Sequence, residues 1–213
     1  MRILALLAVP LTLIAAACAQ EPQTEAGPPE PDIPEGAEQA IFASGCFWCT
    51  EADFEKLDGV IEAVSGYTGG ETSNPSYEDV TYGETGHVEA VRVVYDPAQI
   101  SYSRLLDHYW RNVDPFDATG QFCDRGDSYR PFIFPVNAGQ MEAARASLEQ
   151  VRARFDREIA VEIEQAGDFW PAEAYHQDYA DKNPIRYQRY RFGCGRDQRL
   201  REIWGEEAGG ISG

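Results

Sequence analysis

The most informative segment of the sequence is Ala40-Ile41-Phe42-Ala43-Ser44-Gly45-Cys46-Phe47-Trp48-Cys49. Its apolar start, residues 40–43, predicts a strand, and residues 50–57 predict an amphipathic helix. Cys46 is therefore expected where a strand meets a helix N-terminus, a position that favours negative charge. A thiol in such a place tends to become a thiolate, which is the reactive form of cysteine. The alternative is that Cys46, Phe47 and Trp48 are ordinary core residues.

Composition limits the class of protein. The chain has 213 residues, of which 43% are hydrophobic and 12% aromatic, so it forms one domain or two at most, with a packed core. Its net charge of −18 is spread along the chain and would repel nucleic-acid phosphates. We therefore expect a soluble surface and no nucleic-acid partner.

The N-terminus is predicted to be a targeting segment. Arg2 precedes an apolar run, residues 3–14, which is too short to span a bilayer stably. Residues 1–17 are therefore assigned as a signal peptide. The following Ala15-Ala16-Ala17-Cys18 resembles the bacterial lipobox, which predicts a lipid on Cys18 and a membrane-anchored lipoprotein of the periplasm or cell envelope. Ordinary cleavage near Ala17 or Ala19, releasing a soluble protein, is the alternative.

A proline-rich segment follows the signal peptide. Residues 18–37 carry the lipidation candidate and no hydrophobic periodicity, so we expect a disordered tether there. Its prolines are Pro22, Pro28, Pro29, Pro31 and Pro34. The folded domain is expected over residues 38–213, ending in a flexible C-terminal tail.

Within the domain, predicted elements alternate. Strands are expected over residues 60–64, 88–95, 132–134 and 159–163. Helices are expected after the N-cap Ser101 and over residues 139–155, and long irregular stretches over residues 65–77 and 114–130. This order, β-α-β-β-α and then β-α-β, predicts an α+β fold, a two-layer sandwich with a ferredoxin-like core.

Three polar side chains outside the cysteine stretch are candidates for catalysis. Glu89 lies at the entry of the most regular strand, where apolar neighbours would raise its pKa and let it donate a proton. The alternative is a polar residue on a half-exposed strand. Tyr77 and Tyr129 lie in the two long irregular stretches, and their hydroxyls can hydrogen-bond a polar ligand.

Several motifs together resemble peptide methionine sulfoxide reductase A. They occur in the family's order over about residues 38–190: Gly45-Cys46-Phe47-Trp48, Gly66-Tyr67-Thr68-Gly69-Gly70, Asn74-Pro75-Ser76-Tyr77, Gly86-His87-Val88-Glu89, Tyr95-Asp96-Pro97, Asp124-Arg125-Gly126-Asp127-Ser128-Tyr129-Arg130 and Ala172-Glu173-Ala174-Tyr175-His176-Gln177. The resemblance implies reduction of the S epimer of methionine sulfoxide, free or in oxidised proteins. It also implies a thioredoxin-like reductant. We expect a monomer that needs no cofactor or metal.

The resemblance implies a role for each matched residue. Cys46 would attack the sulfoxide sulfur and become a sulfenic acid, while Glu89 would protonate the sulfoxide oxygen. The remaining residues have supporting roles: Tyr77 and Tyr129 would hydrogen-bond that oxygen, Phe47 and Trp48 would hold the substrate S-methyl group, and Asp124 would line the site.

The other cysteines depart from the common family pattern. Cys49 stands where glycine is usual, and its short separation from Cys46 predicts that it resolves the sulfenic acid first. Cys194, flanked by glycines, is predicted to act in a second step that carries the disulfide toward the reductant. A static Cys123–Cys194 bond, which an oxidising compartment would permit, is the alternative. Val113 replaces a family histidine, so no role is assigned there.

Two other function classes remain open at this point. Cys46-Phe47-Trp48-Cys49 is a Cys-x-x-Cys, which would suit a thiol–disulfide oxidoreductase, although no thioredoxin-like pattern surrounds it. The second class is a membrane-tethered binding or metal module. Its candidate site, a weak one, is zinc bound by Cys46, Cys49 and His87. We expect structural hydrogen bonding for His87 and His176, and a surface position for His108.

Overall fold

The computed structural model describes residues 33–210. Within them, the main sheet has the strand order β7-β6-β1-β3-β2-β8, and β4 pairs with β5 in a short separate ladder. The strands are β1 (Glu38–Ala43), β2 (Val60–Thr68), β3 (Val88–Tyr95), β4 (Gly120–Gln121), β5 (Asp124–Arg125), β6 (Phe132–Phe134), β7 (Glu162–Ile163) and β8 (Trp170–Pro171). Neighbouring strands of the main sheet are antiparallel, except that β6 and β7 are parallel. The result is a mixed α/β fold built on a mainly antiparallel sheet.

Some of the helices begin at a side-chain N-cap. The helices are α1 (Phe47–Phe54), α2 (Tyr77–Tyr82), α3 (Tyr102–Arg111), α4 (Ala138–Arg154), α5 (Tyr179–Lys182), α6 (Pro184–Gly193) and α7 (Arg196–Trp204). Ser76 and Asp79 form a capping box at α2. Ser101 caps α3 as predicted, since its hydroxyl accepts the backbone N–H of Arg104 at 3.3 Å.

The sheet is covered on both faces. Val91, Val93 and Tyr95 of β3 face a large core that includes residues of α1, α3, α4 and α7. Val88 and Ala90 of the same strand face a smaller core. Every residue of β3 is buried, so the strand is not half-exposed, and a polar side chain on it must be satisfied inside the protein.

Strand β2 is longer than predicted. The expectation of an irregular stretch from residue 65 is wrong for residues 65–68, which continue the strand. Gly66 pairs with both Ala90 and Pro171, and a Cβ there would lie 2.4 Å from the Phe169 ring. Glycine is needed at this position because neighbouring groups approach closely, and no turn forms there.

The C-terminal segment also differs from the expectation. Where a flexible tail was predicted, α6 and α7 pack on the domain, and Leu200 and Trp204 are buried in the large core. The physical reason is apolar burial: these two side chains lie one helical turn apart on α7 and share its inward face.

The targeting predictions fall largely on residues that the structure does not describe. The signal peptide over residues 1–17 and the lipidation candidate Cys18 lie outside the described range, as does most of the tether. Among residues 33–210, no helix is both long and apolar enough to span a bilayer.

Candidate active site

Cys46 lies at the N-cap of α1, at the strand–helix junction that the sequence predicts. Its carbonyl accepts the backbone N–H of Cys49 at 3.1 Å and that of Thr50 at 3.3 Å, which closes the first turn. Gly45 before it has a φ of 84°, and a Cβ there would lie 2.5 Å from the Cβ of Gln121. Both the backbone conformation and the close approach therefore require glycine next to the nucleophile candidate.

Burial outweighs the helix N-terminus at Cys46. The side chain is only 6% exposed, and this burial raises the pKa of the Cys46 thiol well above its ordinary value. The hydrogen bond to Cys49 and the charge of Glu89 act in the same direction. The expectation of a resting thiolate on Cys46 is therefore wrong, because a thiolate here loses its solvation beside a carboxyl group.

Cys49 carries the acidic thiol of the pair. The S–H of Cys46 donates a hydrogen bond to the Cys49 sulfur, which lowers the pKa of Cys49. Burial opposes this effect, but the positive charges of Arg196 and Arg191 support it. The negative charge of the buried pair therefore favours Cys49 over Cys46.

Two arginines and one aspartate form the charged cluster beside Cys49. Arg191 Nη1 contacts both carboxylate oxygens of Asp53, at 2.9 and 3.0 Å, and Arg196 Nε lies 3.8 Å from Asp53 Oδ2. Burial alone would raise the pKa of Asp53, but Arg191 and Arg196 lower it to about 2. Arg196 is 2% exposed and donates to the backbone carbonyls of Ser44 and Asn112. Arg191 also pairs with the partly exposed Asp197 at 2.9 Å, and the charges of Arg196 and Arg191 still lower the pKa of Cys49.

Glu89 is joined to the first residue of α1. It is 2% exposed, and its Oε2 atom accepts the backbone N–H of Phe47 at 2.9 Å. Burial raises the pKa of Glu89 to about 8, and the charges of Asp124 and Cys49 add to this, although the bond from Phe47 lowers it. The expected rise is confirmed, and the carboxyl is mostly neutral at neutral pH.

Tyr77, the first residue of α2, and Tyr129, the last residue of a short 3-10 helix, meet at the site. Their side chains share a hydrogen bond, and burial raises the pKa of both, with the Glu89 charge acting in the same sense. Glu173 fixes the position of Tyr77, since its carboxylate accepts the Tyr77 backbone N–H at 2.8 Å and the Tyr67 hydroxyl at 2.9 Å. Two neutral hydroxyls therefore lie close to the neutral carboxyl.

Several aromatic side chains pack together beside the cysteine pair. The indole of Trp48 stacks on Tyr179 at 3.7 Å between ring centroids and donates from Nε1 to His176 Nδ1 at 3.0 Å. Phe47 packs on His176 and Tyr67. Burial lowers the pKa of His176 to about 4, so the ring is neutral and serves as an acceptor. The predicted structural hydrogen bonding of His176 is confirmed.

Tyr190 connects Asp124 to the nucleophile candidate. Its hydroxyl donates to Asp124 Oδ2 at 2.6 Å, and the same tyrosine opposes the rise in the pKa of the Cys46 thiol. Burial raises the pKa of Asp124, while the bond from Tyr190 lowers it. Tyr190, a residue of α6, therefore connects the position of Asp124 to that of Cys46.

Cys123 and Cys194 form a disulfide with a Cα–Cα distance of 4.8 Å. This is the pairing that the sequence analysis names as the alternative, and it is compatible with a second-step role for Cys194. Cys194 caps the end of α6, and Cys123 precedes Asp124. Cys123 is exposed, whereas Cys46 and Cys49 are free thiols and buried. The four cysteines thus separate into a buried thiol pair and an outer disulfide.

The remaining histidines have structural contacts. His87 Nδ1 accepts the N–H of Gly70 at 3.1 Å and Nε2 lies 2.7 Å from the carbonyl of Thr72, which confirms its structural hydrogen bonding. Both ring nitrogens are thus engaged away from the cysteines. His108 is 2% exposed and its Nε2 lies 2.9 Å from the Asp53 carbonyl, so the surface prediction is wrong. It is buried because α3 packs this face against α1.

The predicted site residues of the catalytic domain gather around the start of α1, and the structure adds several that the sequence analysis did not select. The added residues are His176, Glu173, Tyr190, Arg191 and Arg196. His176 and Glu173 lay in a motif already recognised, so their signal was present. The others lie on α6 and α7, in the segment for which the sequence predicts a flexible tail.

These groups define a class of protein. A neutral carboxyl and paired tyrosine hydroxyls beside a buried cysteine suit a thiol-dependent oxidoreductase that protonates an oxygen of its substrate. The family model described as "Peptide methionine sulfoxide reductase" matches residues 38–208. The chain belongs to this family, and it reduces methionine (S)-sulfoxide to methionine.

Individual relatives agree with this assignment. The Caulobacter vibrioides protein named peptide methionine sulfoxide reductase MsrA 2 is 50% identical over 168 residues, which cover 79% of this chain and 86% of that protein. A Vibrio cholerae protein named MsrA/MsrB is 47% identical over 172 residues, covering 80% of this chain, and the chain spans 46% of its length. The solved methionine sulfoxide reductase A of Corynebacterium diphtheriae is 32% identical, with a TM-score of 0.68 over 71% of this chain and 77% of that one.

Proposed function

We propose that Cys46 and Glu89 carry out sulfoxide reduction together. The Cys46 sulfur attacks the sulfoxide sulfur while Glu89 protonates the oxygen, and Tyr77 and Tyr129 hydrogen-bond that oxygen. Collapse releases methionine and transfers the oxygen to Cys46, so that a thiol and a sulfoxide become a sulfenic acid and a thioether. The observation that carries this proposal is a buried carboxyl with a pKa raised to about 8, bonded to the residue after Cys46.

The thiol proton needs an acceptor before Cys46 can attack. Cys49 is placed to take it, because it accepts the Cys46 S–H and because that bond and the nearby arginines favour its thiolate form, which has a free site for a proton. Proton transfer along this bond forms the Cys46 thiolate only during the attack on the sulfoxide. Cys46 can therefore be a buried thiol at rest and still act as the nucleophile. Trp48, which is partly buried, provides apolar surface that suits the substrate S-methyl group, whereas Phe47 is 1% exposed and packs in the large core.

Resolution follows in the same buried pair. We propose that the Cys49 sulfur attacks the Cys46 sulfenic acid, forming a disulfide and releasing water. The existing hydrogen bond between the two side chains supports Cys49 as the first resolver. Cys194 then acts in the second step, together with Cys123, and a thioredoxin-like protein supplies the electrons from outside. The outer disulfide supports this order, because Cys123 is exposed and the inner pair is buried.

The location is proposed from the N-terminal sequence. Residues 1–17 fit a signal peptide, Cys18 fits a lipid attachment site, and the proline-rich segment fits a tether to the membrane. The enzyme would then repair oxidised proteins in the periplasm or cell envelope. Mass spectrometry of the mature N-terminus tests this, and an unmodified Cys18 in a soluble fraction would contradict it.

The fold is proposed to contain a ferredoxin-like core. The supporting observation is the order β6-β1-β3-β2 with antiparallel neighbours, in which α1 connects β1 to β2 and α3 precedes β6.

The experiment that tests the reaction is turnover of the separated S and R sulfoxides with dithiothreitol, which bypasses the protein reductant. We expect reduction of the S epimer, little of the R epimer, and no turnover by Cys46→Ser. Insulin reduction without sulfoxide turnover would instead support a thiol–disulfide oxidoreductase.

A further inference from the structure

The C-terminal helices are basic in an otherwise acidic chain. Residues 184–201 include one acidic residue, Asp197, although the whole chain has a net charge of −18. The basic residues of this segment are Arg186, Arg189, Arg191, Arg196, Arg199 and Arg201. Arg191, Arg196 and Arg199 bond to carboxylates or backbone within the domain. The positive charge that remains available to a partner therefore lies on Arg186, Arg189 and Arg201.

The outer face of α6 combines positive charge with exposed apolar surface. Ile185 and Phe192 are 69% and 88% exposed, and Arg189 lies between them on the same helical face. Arg186 and Arg189 are exposed and form no ion pair within residues 33–210. A large aromatic beside unpaired arginines is typical of a docking surface.

This face ends at the outer disulfide. One glycine separates Phe192 from Cys194, and Cys194 is bonded to the exposed Cys123. In contrast, Cys46 is 6% exposed and Cys49 is 2% exposed. A protein-sized reductant therefore has access to the outer disulfide before it has access to the inner pair.

We propose that the outer face of α6, formed by Ile185, Arg186, Arg189 and Phe192, is the docking surface for an acidic protein dithiol that reduces Cys123–Cys194. Opposite charges would steer that protein to this face and fix its orientation. The inference rests on the proposed use of a thioredoxin-like electron donor. It adds where that donor binds and which sulfur it attacks.

The redox step then follows from exposure. A thiolate of the partner attacks the exposed Cys123 sulfur, the Cys123–Cys194 bond breaks, and Cys194 leaves as a thiolate just before the N-terminus of α7. The second thiol of the partner attacks the mixed disulfide and releases Cys123. The partner is oxidised to its disulfide, and with the uptake of one proton by each leaving thiolate both cysteines become thiols.

The test compares two electron donors. Steady-state turnover of a free methionine (S)-sulfoxide is measured with a purified acidic thioredoxin and, separately, with dithiothreitol, for the full chain, Phe192→Ser and the double variant R186E/R189E. Matched controls are Tyr82→Ser, whose ring is 84% exposed at the end of α2, and Arg145→Glu, which reverses an exposed charge on α4. We expect kcat/KM for thioredoxin to fall about tenfold or more in the α6 variants, with dithiothreitol turnover and both controls unchanged. Added salt should slow the full chain toward R186E/R189E.

Other outcomes would overturn the docking proposal. Unchanged thioredoxin kinetics, or equal losses in the control variants, would exclude this face. Equal losses with dithiothreitol would indicate damage to the site, and a higher KM for an oxidised protein substrate with dithiothreitol would assign the face to substrate. A full chain that fails with dithiothreitol would contradict the proposed reaction itself, which separates the two failures.

Discussion

The Oε2 atom of Glu89 accepts a 2.9 Å hydrogen bond from the backbone N–H of Phe47, which joins the centre of the sheet to the first residue of α1. Because Phe47 directly follows Cys46, this bond holds the proposed acid beside the proposed nucleophile without help from the loops. Burial keeps the carboxyl neutral, so that one oxygen can accept from Phe47 while the other carries a proton for the substrate.

Replacing Glu89 by glutamine should remove the proton donor and preserve the fold. The amide oxygen can still accept from Phe47, but the amide cannot donate a proton to an oxygen as an acid does. Methionine release in a single turnover should slow by roughly 10²–10⁴-fold, the usual effect of losing a positioned acid. Glu62→Gln, at an exposed position of β2, is the matched control. A near-normal rate in Glu89→Gln would reject the role.

The same group predicts how the reaction depends on pH. The Glu89 pKa is raised to about 8, so the proton-donating form is present below that pH and is lost above it. Single-turnover methionine release should therefore decline with a midpoint near pH 8. The decline should be absent from the residual activity of Glu89→Gln. A flat profile in the unmodified enzyme through this range would contradict the assignment.

A second buried carboxyl predicts how stability depends on pH. Glu51 is 1% exposed, its Oε1 atom has no hydrogen-bond partner among residues 33–210, and burial followed by the Glu55 charge raises its pKa to about 8. Since this folded-state pKa lies above the ordinary 4.5, the stabilising effect is complete below pH 4.5 and is lost as the pH rises toward 8. Glu51→Gln should therefore reduce the fall of Tm that occurs as the pH rises from 4.5 to about 8. Glu62→Gln should leave that fall unchanged.

The central strands and the start of α1 could be predicted because local signals agree with tertiary packing there. The alternation along β3 and the apolar run of β1 identify buried strands, and the glycine before Cys46 marks the turn into α1. The raised pKa of Glu89 follows from the same reasoning, since both faces of the sheet are covered and a carboxyl on a central strand is buried on either face.

Other features depend on contacts that a local pattern does not contain. Gly66 indicated a loop, yet the glycine is required by the approach of Phe169 from a distant segment. The position of Cys46 at a helix N-terminus indicates a thiolate. Burial and the charge of Glu89 instead favour the protonated thiol. Arg196 looks like a surface residue in sequence and is instead buried near Cys49.

The order of disulfide exchange is the last prediction. Cys49 lies one turn along α1 from Cys46 and already shares a hydrogen bond with it, while Cys194 is bonded to Cys123. Attack by Cys49 needs no rearrangement of helices, whereas attack by Cys194 requires reduction of the outer bond and movement of the end of α6. Moving the end of α6 would also disturb the burial of Tyr187 on α6 and of Leu200 on the adjoining α7. We therefore expect Cys49 to react first.

Peptide mapping after stoichiometric methionine sulfoxide reacts with reduced protein distinguishes the two orders. In Cys194→Ser, a Cys46–Cys49 disulfide should form at the normal rate, because the inner pair is sufficient. In Cys49→Ser, the Cys46 sulfenic acid should persist and be trapped by dimedone. The double variant C123S/C194S should resolve normally with dithiothreitol and lose turnover with thioredoxin, because the outer pair passes electrons inward. If Cys49→Ser instead forms Cys46–Cys194 rapidly while Cys194→Ser accumulates sulfenic acid, then the end of α6 opens in the reduced enzyme and Cys194 is the direct resolver.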